Sequence, residues 1–202
     1  MNRKPRRGAV FLDRDGVINV DRRDYVKSWS DFKFLPGAFK ALRLLKENEI
    51  RVIIITNQSG VNRGLMTLDT LLEIHEKMLD AIRTHGGEIE AIYYCPHTPA
   101  ENCECRKPKP GMVLKAKKDL KIDLLQSYFA GDSKKDVELA QSLAIKCIRI
   151  TEGTSHCTRV EGQGWTKKNP ISARSLLEAV NYILHDLKES PGSPALQRHH
   201  RT

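Results

Sequence analysis

The chain has 202 residues and a formal charge of +9 at pH 7. Six of these nine charges lie in residues 1–7 and 191–202, which contain no acid, so the remaining chain carries +3 and nucleic-acid binding is not expected as its main role. The chain has no run of eighteen apolar residues and no apolar signal region near its start, so we expect a cytoplasmic protein that does not enter a membrane.

Short apolar runs alternate with amphipathic segments along the chain. The strands are predicted at residues 9–13, 51–56, 89–95, 127–132 and 146–151. The helices are predicted at residues 36–49, 67–87, 110–120, 134–144 and 172–187. Repeated strand–helix units predict an α/β fold with a mainly parallel sheet between two layers of helices. We expect one domain over residues 8–188, with a basic flexible segment at 1–7 and a disordered tail at 189–202.

Acidic and hydroxyl side chains follow three of the predicted strands. Asp13 and Asp15 follow the first strand, Thr56 ends the second, and Asp132 ends a later one, with Asp136 four residues beyond. Ligands bind beyond the carboxyl ends of the strands in such sheets, so these groups are expected to meet. Oxygen ligands of this kind suit Mg²⁺. Each motif taken alone could instead be a turn with solvated acids.

Cysteine and histidine are concentrated in the segment CPHTPAENCECRKPKP, residues 95–110. Its candidate metal ligands are Cys95, His97, Cys103 and Cys105. The absence of a secretory signal argues against disulfides, and three thiolates with one imidazole form a closed tetrahedral set for structural Zn²⁺. The other interpretation is a group of scattered thiols with a surface histidine.

Five motifs carry a resemblance to a known family. FLDRDGVIN, ITNQSGVNRG, YYCPH, CECRKPKPGM and AGDSKKD resemble the D-glycero-D-manno-heptose 1,7-bisphosphate phosphatases of the haloacid dehalogenase (HAD) superfamily, close relatives of the histidinol-phosphate phosphatases. The resemblance runs from Gly8 to about Leu187 and implies a three-layer, Rossmann-like fold. The connections after the first and second strands are too short for a large cap domain, and residues 95–110 are expected to form a zinc-binding loop.

The resemblance also implies a mechanism. Asp13 would be the nucleophile that forms an aspartyl-phosphate, and Asp15 the general acid and base. Mg²⁺ would be held by the Asp13 carboxylate, the Asp15 backbone carbonyl and the Asp132 carboxylate, with Asp136 orienting this shell from behind.

Further residues are assigned to the transferred phosphoryl group and to the substrate. Thr56 and Lys107 would stabilise the phosphoryl group, although Lys109 is an alternative to Lys107. The expected substrate contacts are Arg14, Asp21, Tyr25, Asn57, Gln58, Ser59, Arg106 and Ser133. The loop DRRDY at residues 21–25 departs from the family pattern by one extra residue.

The resemblance implies hydrolysis of the 7-phosphate of heptose 1,7-bisphosphate, a small phosphorylated sugar, in the synthesis of lipopolysaccharide precursors by a monomeric enzyme. Within the same enzyme class the alternatives are histidinol phosphate, another small phosphomonoester, or the 3′-phosphate of a DNA end. From a different class, the chain could be a zinc-stabilised nucleic-acid-binding module whose acids are inert.

Overall fold

The computed structural model describes residues 8–151 and 170–189. In these two ranges the chain forms a parallel sheet of six strands in the order β3-β2-β1-β4-β5-β6. The strands are β1 Ala9–Leu12, β2 Arg51–Asn57, β3 Ala91–Cys95, β4 Tyr128–Gly131, β5 Lys146–Ile150 and β6 Ile171–Ala173. The predicted α/β class with a parallel sheet is therefore confirmed.

Helices cover both faces of this sheet. They are α1 Ala38–Glu47, α2 Leu68–Thr84, α3 Gly111–Leu120, α4 Lys134–Ser142 and α5 Leu176–Glu189. Side chains alternate along β1, so Leu12 packs with α1, α2 and α5 while Phe11 packs with α3 and α4. Because both faces are covered, the central strands are apolar along their length instead of alternating with polar residues.

The sequence prediction was wrong at one element. Residues 171–173 form β6, which pairs with β5, and the helix predicted from residue 172 begins at Leu176. The strand has only three residues, and just one of them, Ile171, is large and apolar, so no alternating pattern separates it from the helix that follows. Pairing with β5, with Ala173 buried, stabilises the strand.

The strand order explains where the polar strand ends meet. The chain proceeds from β1 outward to β2 and β3, then returns to the other side of β1 as β4. The carboxyl ends of β1 and β4 flank this change of direction, which is where open α/β sheets bind ligands. The described connections that follow β1 and β2 reach α1 and α2 through turns and one short 3-10 helix, Trp29–Asp31, and hold no inserted domain.

Two other expectations concern the chain ends and membranes. The flexible segment predicted at 1–7 and the tail predicted at 189–202 lie outside the described residues, apart from Glu189, the last residue of α5. Through the described ranges, each helix is too short or too polar to cross a lipid bilayer.

Candidate active site

The loop after β1 brings its acids to the switch point. The backbone amide of Asp13 donates to the carbonyl of Ala130 at 3.0 Å, which continues the pairing of β1 with β4 past the end of the strand. Gly16 turns the chain with a φ of +75°, and a Cβ placed on it would lie 2.1 Å from Oδ2 of Asp132. A glycine is therefore required here because the Asp132 carboxylate occupies the space that a side chain would need.

Three carboxylates converge beyond this turn. Ligand oxygens of Asp13, Asp132 and Asp136 lie within 4.8 Å of one another. Burial raises the pKa of Asp13 to about 8, with the charge of Lys107 opposing and that of Asp136 adding to the rise. Burial and the charges of Asp136 and Asp21 raise the pKa of Asp132 to about 6. Carboxylates crowded in this way repel one another unless a cation lies among them, so this oxygen-only group fits a hard divalent cation.

Lys107 provides the fixed positive charge of the site. Its buried Nζ forms ion pairs of 2.7 Å with Oδ2 of Asp13 and 2.7 Å with Oδ1 of Asp136. The side-chain amide of Asn57 holds the Lys107 backbone from both sides, accepting from its N–H at 3.0 Å and donating to its carbonyl at 3.2 Å. Lys109 instead points to the surface, where Nζ contacts Glu104 at 2.9 Å. Of the two lysines, the structure thus brings only Lys107 to Asp13.

Asp136 is also bonded to the start of α4. Its Oδ2 accepts from the backbone N–H of Ser133 at 3.1 Å and from the Ser133 hydroxyl at 2.6 Å, while the Ser133 oxygen caps the helix. Gly131 packs so closely behind it that an added Cβ would lie 2.4 Å from the Asp136 Cβ. The fully buried carboxylate of Asp136 is therefore held rigidly at the back of the site.

Asp15 is held as a carboxylate by several donors. Its oxygens accept from the guanidinium of Arg14 at 3.0 Å, from Nδ2 of Asn19 at 2.8 Å and from Nε2 of Gln58 at 2.8 Å. Burial by itself raises the pKa of Asp15, but the charge of Arg14 and these hydrogen bonds outweigh it, so the pKa lies below its usual range. An ionised carboxylate in this position can accept a proton.

Polar side chains at the end of β2 face the interior. Thr56 is 1% exposed, and its Oγ1 accepts from Nε2 of Gln58 at 2.8 Å. The side-chain oxygen Oε1 of Gln58 accepts from the Arg14 guanidinium at 3.1 Å. Ser59, the next residue in the chain, is also buried. Several residues predicted as substrate contacts therefore bond to other site residues. They are Arg14, Asn57, Gln58 and Ser133.

The remaining predicted contacts are more exposed to solvent: Asp21 is exposed, and Tyr25 and Arg106 are half-buried. Burial and the charge of Asp15 raise the pKa of Asp21. Tyr25 has a φ of +69°, and its ring lies over Gly60, where an added Cβ would come within 3.4 Å. Arg106 donates from Nη1 to the carbonyl oxygen of His97 at 3.0 Å.

The four zinc-ligand candidates come together as predicted. Cys95 Sγ lies 3.5 Å from both His97 Nδ1 and Cys103 Sγ, and Cys105 Sγ lies 3.2–3.4 Å from the other three atoms. A tetrahedral ion with Zn–S bonds of about 2.3 Å requires S–S separations of about 3.8 Å, a few tenths of an ångström longer than these values. The cysteines are unpaired, so this cluster fits a four-coordinate metal with no position left for substrate.

Two residues of the site were not found from the sequence. Asn19 bonds to Asp15 from inside the loop after β1, and His75 on α2 bonds to Arg14. Asn19 is the last residue of the motif FLDRDGVIN, and this position in a family motif could have identified it as a site residue. His75 shares a helix face with Leu71 and Met78, so its spacing indicates an ordinary core position.

The chain matches a family model described as polynucleotide kinase 3 phosphatase over residues 9–150. It is 42% identical over 190 residues to the D-glycero-beta-D-manno-heptose-1,7-bisphosphate 7-phosphatase of Yersinia pestis, with 91% of this chain and 93% of the relative covered. The protein of the same name from Haemophilus ducreyi is 38% identical, with 87% and 97% covered.

A solved crystal structure of similar fold has a similar name. The D,D-heptose 1,7-bisphosphate phosphatase from B. bronchiseptica, complexed with magnesium and phosphate, superimposes with a TM-score of 0.79 at 34% identity. The alignment covers 89% of this chain and 99% of that protein. The likeness therefore extends over most of the chain.

Proposed function

The chain belongs to the D-glycero-D-manno-heptose 1,7-bisphosphate phosphatase family of the HAD superfamily, and we propose that it hydrolyses the 7-phosphate of heptose 1,7-bisphosphate. The relatives described above are named as phosphatases of this substrate, and the alignments cover nearly their full length. The observation that carries the proposal is the placement of Asp13 at the end of β1, 2.7 Å from the buried ammonium of Lys107. A nucleophilic carboxylate beside a fixed cation, at the switch point of the sheet, suits phosphoryl transfer.

Mg²⁺ is the proposed cation of this site. The carboxylates of Asp13 and Asp132 and the backbone carbonyl of Asp15 would hold it, and Asp136 would orient Asp13 and Lys107 from behind. When bound, Mg²⁺ would neutralise charge on the carboxylates and on the phosphoryl oxygens of the substrate. The B. bronchiseptica relative was crystallised with magnesium.

In the first half of the reaction, Asp13 would attack phosphorus and form an aspartyl-phosphate. The charge of Lys107 favours the ionised form of Asp13 that attack requires, and the same ammonium lies close enough to donate to an oxygen of the transferred group. The Thr56 hydroxyl would donate a hydrogen bond to a second oxygen of this group. The sugar oxygen leaves with a proton from Asp15, which becomes a carboxylate.

In the second half, water would release phosphate from Asp13. The carboxylate of Asp15 would take a proton from this water, which restores the acid for the next cycle. The network of Arg14, Asn19 and Gln58 around Asp15 corresponds to the ionised state between the two halves, because all these groups donate to it. This pairing of roles requires Asp15 to alternate between two protonation states during turnover.

The residues predicted from the sequence as substrate contacts divide into two groups. We propose that Arg106, with the planar guanidinium suited to phosphate, binds the second phosphate of the substrate. Asp21, Tyr25 and Ser59 are proposed to contact the sugar. The side chains that are bonded inside the site are instead proposed to position catalytic groups; they are Arg14, Asn57, Gln58 and Ser133.

Zn²⁺ is proposed as a structural ion bound by the four residues of the cysteine cluster. Cys105 lies directly before Arg106, and Lys107 follows, so an ion that immobilises the cluster also orients both basic residues. A reduced thiolate site suits the cytoplasm, which is the proposed compartment, and we propose that the protein acts there as a monomer.

A substrate comparison tests the proposal. The values of kcat/KM are measured with Mg²⁺ on heptose 1,7-bisphosphate, histidinol phosphate and a 3′-phosphorylated DNA end, the last because of the family model that matches residues 9–150. The proposal expects heptose 1,7-bisphosphate to be preferred by at least about tenfold, which is a difference of 1.4 kcal/mol in transition-state binding. Preference for either other substrate would overturn the substrate assignment. A lack of turnover on all three, together with salt-dependent DNA or RNA binding, would favour a nucleic-acid-binding module.

A further inference from the structure

A buried histidine lies behind the active site. His75, in the middle of α2, is 5% exposed, and its Nε2 lies 3.2 Å from Nη1 of Arg14. A guanidinium has no acceptor atom, so Nε2 of His75 must accept this hydrogen bond. The imidazole is therefore neutral, with its proton on Nδ1. Burial and the charge of Arg14 agree with this, since they lower the pKa of His75 to about 3.

Arg14 connects this histidine to the proton-transfer carboxylate. Its side chain is 1% exposed and its guanidinium donates to Asp15 through Nη2 at 3.0 Å and through Nε at 3.3 Å. The guanidinium is planar and rigid, so the His75 acceptor on Nη1, together with the Gln58 side-chain oxygen on Nη2, fixes the direction in which Nε and Nη2 point. The ring of Tyr94 packs against His75, with centroids 5.8 Å apart, and limits the rotation of the imidazole.

We propose that His75 is a positioning residue for the reaction, which holds the Arg14 guanidinium in the orientation that aims the Asp15 carboxylate at the reacting oxygen. This inference rests on the proposed phosphatase function. His75 touches neither substrate nor phosphorus; it acts through Arg14 alone. An ordinary core histidine would contribute to the stability of the fold and would leave the rate of the chemical step unchanged.

The first test compares two substitutions. His75→Leu removes the hydrogen-bond acceptor and fills the same space with an apolar side chain. It should lower kcat on heptose 1,7-bisphosphate by about 10- to 100-fold, because misplacement of a catalytic group by about 1 Å has effects of that order. KM should stay within about twofold, since no substrate contact is lost. His75→Gln places an amide oxygen near the position of Nε2 and should restore most of kcat. Equal activity of His75→Leu and the wild type would overturn the inference.

The second test separates positioning from stability. Met78→Ala, one turn further along α2 and fully buried, should lower the melting temperature but leave kcat near the wild-type value. In an Asp15→Asn background, His75→Leu should produce no further loss in single-turnover rate, because its effect passes through the Asp15 carboxylate. An undiminished loss in that background would contradict the inference. If His75→Leu does not fold, His75→Met serves the same comparisons.

The third test needs no variant. ¹⁵N NMR of the imidazole in the wild-type protein should show a neutral ring with the proton on Nδ1 between pH 5 and pH 8. A proton on Nε2, or a charged ring, would exclude a hydrogen bond from Arg14 and overturn the inference. Wild-type enzyme without activity on heptose 1,7-bisphosphate would refute the proposed function instead, which distinguishes the two failures.

Discussion

Substitution of Gly16 by alanine probes the proposed Mg²⁺ site through its shape. The new Cβ would lie 2.1 Å from Oδ2 of Asp132, whereas real Cβ contacts stay beyond 3.0 Å, so this oxygen must retreat by about 0.9 Å. Mg²⁺ requires oxygen ligands at 2.0–2.1 Å in a nearly ideal octahedron and tolerates little displacement. The substitution therefore displaces the proposed metal ligand Asp132 without changing any charge.

The expected magnitude follows from this loss. Disturbance of groups that orient metal ligands costs about 10- to 100-fold in metal affinity. We expect the Mg²⁺ concentration for half-maximal phosphatase activity of Gly16→Ala to rise by that factor, with the same change in the Mg²⁺ dissociation constant measured by calorimetry. Activity should recover substantially at saturating Mg²⁺, because Asp13 and Asp15 remain in place.

Gly64→Ala is the matched control. Gly64 also has a positive φ, +70°, but a Cβ there would meet nothing within 4 Å. Both variants should lose about 1 kcal/mol of stability from the left-handed backbone, a shift of roughly 2–4 °C in melting temperature. Only Gly16→Ala should change the Mg²⁺ requirement. If the two variants have the same Mg²⁺ requirement, the assignment of Asp132 as a ligand is refuted.

The other predictions concern the nucleophile, the lysines and the zinc ion. Asp13→Asn should abolish phosphate release, because an amide cannot form the aspartyl-phosphate, and should leave the circular dichroism spectrum unchanged. Lys107→Met should lower kcat by about 10²–10³-fold, as expected for loss of a donor to the phosphoryl group, while Lys109→Met should stay within about twofold. Cys105→Ser should lower the zinc content measured by atomic emission and reduce activity, whereas Cys147→Ser, a buried strand residue in β5, should retain the metal.

Each of these predictions has a contrary outcome. Phosphate release at the wild-type rate by Asp13→Asn would refute the covalent mechanism. A larger loss in Lys109→Met than in Lys107→Met would exchange the roles of the two lysines. Full activity of a zinc-free Cys105→Ser protein would show that the cluster does not position Arg106 and Lys107.

Much of the fold could be predicted because each element has a pattern of its own. The β-branched run RVIIIT identifies β2, and the spacing of apolar residues in 67–87 identifies α2. The predicted order and direction of the elements were confirmed, and most boundaries lie within two or three residues of their predicted positions. β6 was missed because three residues are too few for a period to be recognised, and it is stabilised by its neighbour β5.

The residues of the site that lie at the carboxyl ends of the strands could be predicted from the sequence. Asp13, Asp15 and Asp132 lie at the same edge because parallel strands end there together. The direction of a polar side chain near that edge is not contained in the sequence, since it depends on which donors and acceptors the fold brings close. Arg14 and Asn57 are bonded inside the site, which the sequence did not indicate, and their contact with the substrate stays a prediction.

The same limitation applies to Lys107 and Lys109, which flank one proline and are equally basic. Their difference arises from the path of residues 103–111, which directs Lys107 toward Asp13 and Lys109 toward Glu104. His75 was missed for the opposite reason, because its position on α2 matches an ordinary core residue and its partner lies 61 positions away in the chain.

Removal of the 7-phosphate of heptose 1,7-bisphosphate can be followed directly by ³¹P NMR of that compound during incubation with the protein and Mg²⁺. We expect the resonance of the 7-phosphate to disappear, inorganic phosphate to appear in equal amount, and the resonance of the 1-phosphate to persist. Loss of the 1-phosphate, or an unchanged spectrum with a zinc-loaded and folded protein, would contradict the proposed function.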